Sequence, residues 1–479
     1  RKEPAIVGLT ERVQKLSLAD WRYAVENLRA ARLLADEDPH DPEALDCHPL
    51  LREHYGEQLR AGNPNVWRDA HSRLYEHYKS VAKEYPDTLE EMAPLYEAVA
   101  HGCLAGRQQE ALNEVYWQRI QRGGEFFSTN RLGAFGADLT ALSGFFDPPW
   151  HKLANGLRED HKAFVLNQAS FRLRALGRLK ESVQPMREAL AALLAQQDWK
   201  NTAISASNLS ALYLTIGDLE QALDYARQGI EVADRSGDTA QRMSKRTTLA
   251  DALHQAGRLA ESEVAFREAE TIQQARQPEF SLLYSLPGFE YCDLLLSQGK
   301  YWDVQSRANR TLEWASQYLG LLDVALDHLS LGRAHLLQAQ NDLTPAPLLQ
   351  EVGSVRPLAP GHEGKYAQAT THLERTVDGL RQAGQQDYLP RGLLARAELR
   401  RAIGTLARAR RDLDEAYSIA TRGGMRLHEA DCHLGYARLF LASGEKDKAR
   451  ESLAIAKKMI EGIGYHRRDG EVRELEAQL

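Results

Sequence analysis

Sixteen histidines and four cysteines are the residues of this 479-residue chain best suited to binding a metal or attacking a substrate, and their spacing favours neither. A zinc hydrolase needs two imidazoles and a carboxylate on neighbouring helix turns, and no HExxH supplies them. His328 and His335, seven apart, share a helix face but have no acidic residue at ligand spacing between them, so they read as core or surface histidines. Cys47, Cys103, Cys292 and Cys432 lie far apart with no CxxC. They read as buried thiols of a reducing compartment, not as a disulfide framework or a zinc site. No GxSxG marks a nucleophile. The stretch GHEGK at 361–365 lacks both the spacing and the hydroxyl of a phosphate-binding loop. On these residues the chain is expected not to be an enzyme and to hold no metal or cofactor of its own.

Bulk properties narrow the classes further. A chain of 479 residues is too long for one core, so two or three domains, or a domain with an extended array, are expected. A net charge of −7 gives no electrostatic footprint for direct nucleic-acid binding. One basic stretch runs through Arg391, Arg396, Arg400, Arg401, Arg408, Arg410 and Arg411. Glu398, Asp412, Asp414 and Glu415 interleave with it, so it reads as a solvated helix face. No run approaches the ~18 apolar residues of a membrane span. The opening RKEPAIVGLTERVQ has no apolar leader core, so a cytoplasmic protein with no membrane contact is expected. Its start at Arg1 suggests a piece of a longer polypeptide.

The element that must position everything else is a repeat. FRLRALGRLKESVQPMREAL, ALYLTIGDLEQALDYARQGI, ADALHQAGRLAESEVAFREAE and CDLLLSQGKYWDVQSRANRTL align on Gly177, Gly217, Gly257 and Gly299, spaced 40, 40 and 42. A further copy centres on Gly444, and degenerate ones on Gly106 and Gly404. A helical apolar pattern precedes and follows each glycine. Five residues after the glycine stands Ala111, Ser182, Ala222, Ser262 or Ala449; twelve after it, Ala189, Gly229, Ala269, Ala416 or Ala456. Such small residues let the second helix of a hairpin press on the first, with glycine closing the turn. A single hairpin cannot bury its own face, so the copies must stack. The pattern resembles the tetratricopeptide repeat, with a leucine or aromatic four before the glycine at Leu173, Tyr213, Leu253, Leu295 and Phe440. The resemblance implies an all-α superhelix. Proline- and glycine-bearing 341–364 interrupts one copy as a loop insertion, either functional or disordered.

In such a superhelix the first helices of the hairpins line the concave face. Counting back from each glycine places Asn167, Arg174, Asp251, His254, Gln255, Phe289, Asp293 and Arg333 on it. Charged, amide and aromatic groups together suit a protein or peptide ligand, an aromatic anchor with a polar rim.

The front of the chain differs in kind. Ser17 caps a helix with its apolar stripe at Trp21, Val25 and Leu28, and Asp20 stands at the capping-box position. RLLAD and ALDCH flank a turn-rich segment and are predicted to pair as a short wing, and Pro49 starts another helix. Helix, hairpin, helix is a winged-helix outline. LDCHPLLREHYGEQLR, VWRDAHSRLYEHYK and MAPLYEAVAHGCLAGRQQEAL, taken with the repeats, resemble the back half of the STAND signalling ATPases, the NACHT and NB-ARC relatives.

The resemblance implies a winged-helix-like domain over 1–62, a helical linker with the first degenerate repeat over 63–160, and a tetratricopeptide superhelix over 161–479. It implies a ligand-sensing, autoregulatory region of a bacterial switch in antiphage or stress signalling, which would begin inside or just before the winged-helix domain. Its partners would be a protein or peptide trigger and the nucleotide-binding domain of the same protein, with homo-oligomers on activation. ADP or ATP would be bound by the parent protein. His48 matches the family histidine that lies against the phosphates of bound ADP; from the residues alone it caps the helix that follows. A stand-alone tetratricopeptide scaffold or peptide receptor is the alternative reading.

Overall fold

The computed structural model describes residues 4–37, 39, 45–342 and 363–479. The expected insertion at 341–364 therefore lies mostly outside the described residues. The chain forms two compact units, residues 1–123 with 154–157, and 124–153 with 158–479. The division into units falls at Gly123. One reason is that helix Pro49–Gly62 packs on helix Pro64–Val81 directly across Asn63, joining the two expected front segments.

In the first unit Ser17 caps helix Leu18–Ala30, its Oγ accepting from Asp20 N at 3.1 Å, as its pattern predicts. Leu34 and Cys47 form an isolated antiparallel bridge where the wing was expected, and the residues at its tip lie outside those described. Helix Leu89–Leu104 turns at Gly106, φ +81°, into Gln108–Glu110 and a π-helical stretch, Ala111–Ile120. That is the degenerate hairpin expected at Gly106. Tyr75, Met92, Leu95, Ala111 and Tyr116 are fully buried between these helices.

In the second unit the repeats are consecutive antiparallel hairpins. Glu159–Ala175 pairs with Leu179–Ala195, Trp199–Ile216 with Leu219–Ser236, Thr239–Gln255 with Leu259–Arg276, and Ser285–Ser297 with Tyr301–Tyr318. Leu321–Asn341 pairs with Glu363–Ala383, Leu389–Ala402 with Leu406–Gly423, and Arg426–Ala442 with Lys446–Ile463. A short turn at His466–Arg468 and helix Asp469–Gln478 follow. This is the expected tetratricopeptide-like solenoid.

The small positions do what their spacing predicts. Ser182, Ala222, Ser262 and Ala449 are fully buried, as are Ala189, Ala269, Ala416 and Ala456. Replacing Ala222 by leucine is expected to overpack its seam and cost about 1–3 kcal/mol. Asp224→Leu, on the exposed side of the same helix, is expected to cost little. Urea unfolding of the two variants checks this; equal losses would mean that the seam is assigned to the wrong face.

The solenoid also closes on itself. Gly217 adopts φ +91° at its hairpin turn, and a Cβ there would stand 2.8 Å from Arg426 Cβ. At Gly257 a Cβ would meet His466 Cβ at 3.0 Å. Gln386 N donates to Ala175 O at 2.6 Å. The turn glycines of early hairpins thus serve twice, once for positive φ and once for close approach of chain some two hundred residues further on.

Candidate functional site

Closure changes what the first helices of the hairpins face. Six of the eight residues placed on the concave face lie close together in the second unit, and most are covered rather than open. Asp251, His254, Gln255, Phe289 and Asp293 are each no more than 6 % exposed. They lie together but are covered by neighbouring groups rather than open as a free surface. The covering group is Arg467, delivered by the turn His466–Arg468. Its guanidinium donates to Asp293 at 2.5 and 2.7 Å and to Gln255 Oε1 at 3.0 Å. Arg333 donates to the same Asp293 at 2.6 Å, and Gln255 Nε2 donates to Asp251 at 2.6 Å.

The remaining two concave-face residues have structural partners further along. Asn167, half-buried, accepts from Asn208 Nδ2 at 3.3 Å and so links two adjacent first helices. Arg174 is buried with its Nε 3.3 Å from Asp387 Oδ2. Phe289 belongs to the main apolar core and has the Arg391 guanidinium 5.6 Å from its ring centroid. The structure therefore makes Phe289 a core residue rather than an anchor waiting for a partner.

The electrostatics follow from this burial. Burial pushes the Asp293 carboxyl up, but Arg467 and Arg333 outweigh it and hold Asp293 well below the usual carboxylate range. Burial, then Asp251, raise Glu290 well above its ordinary value. Asp251 is raised by burial despite Arg391. His254 is driven well below its usual range by burial and then by Arg467, so its ring is neutral. Lys245, buried with its Nζ 2.8 Å from Ser207 Oγ, is lowered by burial to about 8.

Beside this cluster opens a cavity of about 1060 Å³. It runs past Gln255, Asp293 and Arg333 to Arg391, Glu398, His428 and the C-terminal residues Arg467 to Gln478. Its walls mix both signs of charge with leucine and alanine. A smaller pocket adjoins it through Arg391, lined by Arg174, Asp251, Phe289, Asp387 and Tyr388. The arrangement offers hydrogen bonds and charge in a recess large enough for a short peptide segment.

Sequence reasoning missed Arg391, His428 and Arg467. Arg391 was placed with the basic stretch on a solvated face, and much of that stretch is instead engaged internally. Arg396, 6 % exposed, donates to both Asp412 carboxylate oxygens at 2.8 and 3.0 Å and to Glu374 at 2.6 Å. The available signal was Asp412, sixteen residues after Arg396 and on the partner helix of the same hairpin. For Arg467 the signal was Gly464, which stops the last long helix just before HRR.

The remaining candidates resolve as follows. His48 is exposed at the N-terminus of helix Pro49–Gly62, its Nδ1 accepting from Leu50 N at 3.3 Å. It occupies the helix-cap position read from the residues alone. His328 and His335 do share a face, joined by His372, whose Nδ1 lies 2.9 Å from that of His328. Among the described residues no group of three or more histidine, cysteine or acidic side chains is placed to hold a metal ion. The four cysteines are free, and Cys103, Cys292 and Cys432 are buried. Burial pushes the Cys292 thiol up to about 12. Among the described residues no helix is long and apolar enough to cross a membrane.

Comparison with known proteins gives three kinds of finding. A family model described as anaphase-promoting complex subunit 5 matches residues 125–256 and 355–424. No curated protein matches the sequence. Among solved structures, a Rap protein complexed with competence and sporulation factor is similar at 11% identity and TM-score 0.49, over 86% of this chain and 98% of that one. The Rap conjugation gene regulator of plasmid pLS20, in complex with the Phr* peptide, is similar at 13% identity and TM-score 0.48, over 86% and 96%. A STAND protein with a tetratricopeptide repeat sensor from Pyrococcus horikoshii is similar at 13% identity and TM-score 0.39, over 97% of this chain and 62% of that one. The repeat architecture itself is carried by the protein's own hairpins.

Proposed function

We propose that this chain is the ligand-sensing and autoregulatory repeat region of a STAND-type signalling ATPase, and that its superhelical interior receives a segment of a protein or peptide trigger. The observation that carries the reading is the cavity of about 1060 Å³ on the axis of the closed solenoid, with arginines and carboxylates in its wall. A protein built only as a rigid spacer gains nothing from a wide polar recess. A sensor gains a site whose occupancy is coupled to how tightly the coil closes.

The switch follows from that coupling. Arg467 and Asp293 hold the last turn against the Gly257 hairpin. A ligand that binds better when the coil is open shifts the population towards the open form, by no more than its difference in affinity for the two. Catalysis and nucleotide belong to the parent: the nucleotide-binding domain supplies ADP or ATP, and His48 contacts its phosphates there. Activation would proceed through homo-oligomers of the parent, in bacterial antiphage or stress signalling. The front stretch LDCHPLLREHYGEQLR supports this assignment.

The test is photo-crosslinking in bacteria under phage challenge, with a photoreactive residue replacing cavity-lining Ala395 or, as a control, exposed Arg411. A discrete crosslinked polypeptide at position 395 and none at 411 is the expected result. Labelling at 411 alone, or at neither position, would remove the interior as the capture site.

A further inference from the structure

The cavity wall carries six arginines and five carboxylates. Five of those arginines lie within 4.0 Å of a carboxylate. The sixth, Arg391, is lowered by burial but raised overall by the charges of Asp251 and Asp293. It has no ion pair within 4.0 Å among the described residues, and its Nε is buried with no hydrogen-bond acceptor among them. It is not a loose side chain. The Phe289 and Tyr388 rings stand 5.6 and 5.8 Å from the guanidinium, which steadies the cation without using its N–H groups. A guanidinium whose buried Nε lacks an acceptor is poised for an anion that reaches it from the cavity.

A second orphan lies in the same wall. His428 is 5 % exposed, and its Nε2 is 3.3 Å from Asp387 O. A carbonyl only accepts, so Nε2 carries the proton and Nδ1 presents a lone pair, which has no partner among the described residues. Burial and then Arg391 lower His428 to about 4, so the ring is neutral near pH 7. The wall thus offers a fixed cation next to a fixed neutral acceptor. A carboxylate with a neighbouring N–H answers both, and peptides carry that pair.

We propose that Arg391 is the anchor for a carboxylate of a peptide ligand in the axial cavity, with His428 Nδ1 accepting from a neighbouring peptide N–H. The proposal rests on the capture reading given above and names the chemistry that the interior selects. Six arginines and five carboxylates line the cavity, and the adjoining pocket brings Asp251, Glu290 and Asp387 near Arg391, all three with carboxyls raised by burial. Among so many carboxyls a monoanion suits the site better than a phosphate dianion. The carboxylate comes from the C-terminus of the peptide or from an aspartate or glutamate side chain.

Three pools of randomised hexapeptides distinguish the sources: free C-terminus without acidic residues, amidated with acidic residues, and amidated without them. Each is incubated with the full-length protein, and the peptides that co-elute on gel filtration are quantified by mass spectrometry. Wild type is expected to retain one of the carboxylate-bearing pools about tenfold over the carboxylate-free pool, since charge-assisted hydrogen bonds of this kind are worth at least a factor of ten. Arg391→Gln is expected to abolish that preference, Arg391→Lys to keep part of it, and exposed Arg411→Gln to leave it unchanged. Circular dichroism melts establish that each variant is folded; should Arg391→Gln not fold, the Lys variant carries the comparison through loss of the bidentate fork. Equal retention of all three pools, or a preference that survives loss of the guanidinium, would overturn the anchor while leaving peptide capture standing. No retention of any pool would overturn both.

Discussion

Replacing Arg172 by leucine is expected to destabilise the second unit by about 3–5 kcal/mol. Arg172 is 2 % exposed, and its Nε donates to Asp138 Oδ2 at 2.6 Å, while Asp138 is fully buried. The arginine also donates to Gln168, and Ser128 Oγ donates to the other Asp138 oxygen at 3.2 Å. This network ties helix Phe135–Ser143 to helix Glu159–Ala175, the first of the hairpin array. Leucine would fill much of the space but remove the cation that neutralises the buried Asp138 carboxylate. The cost comes mainly from that stranded carboxylate, so the double variant Arg172→Leu with Asp138→Leu is expected to regain much of the loss. Urea unfolding of wild type, single and double variants decides it. A single-variant loss below about 1 kcal/mol, or a double variant no better than the single, would show that the pair is not the fastening argued here.

The hairpins were legible in the sequence because their signals are local. A glycine at a turn and small residues five and twelve positions later act within one hairpin, and every such position in the well-formed copies is buried as expected. The second helices also show their faces plainly: Leu219–Ser236 buries Leu219, Ala222, Ala226, Gly229, Val232 and Ala233 along one side. The first helices do not. Trp199–Ile216 buries residues all round, because it is packed by its own partner, by the next hairpins and, near its end, by the returning chain. No one-sided stripe survives such an environment.

The site was half legible for the same reason. Asp251, Gln255, Asp293 and Arg333 could be placed on one inner face from repeat register alone. What register could not reveal was that Arg467, 174 residues after Asp293, returns to fill that face. Closure depends on the small twist accumulated from each hairpin to the next, and no single repeat encodes it. The basic stretch misled in the opposite direction. Interleaved charges look the same in sequence whether they face water or, like Arg396 and Asp412, each other in the interior.

Asp327 gives the second large effect, and its sign is set by pH. It is 4 % exposed on helix Leu321–Asn341 and accepts from Thr311 Oγ1 at 2.7 Å, while its other oxygen has no hydrogen-bond partner among the described residues. Burial raises its carboxyl to about 7, Thr311 opposes that rise, and nearby Asp323 adds to it. An unfolded aspartate titrates near 3.9. A folded value above the unfolded one means that the native state binds the extra proton. Stability is therefore unaffected at pH below about 4 and falls as pH rises towards 7, above which the full penalty is present. Asparagine keeps the shape and a hydrogen bond to Thr311 but cannot ionise. Asp327→Asn is accordingly expected to match wild type at pH about 4 and to exceed it by about 2–4 kcal/mol at pH about 8, at 1.36 kcal/mol for each pKa unit. Urea midpoints of both proteins across that range provide the measurement. A difference that does not vary with pH would mean that Asp327 is ionised at little cost, and a difference that grows towards acid would mean that it is held by a cation instead.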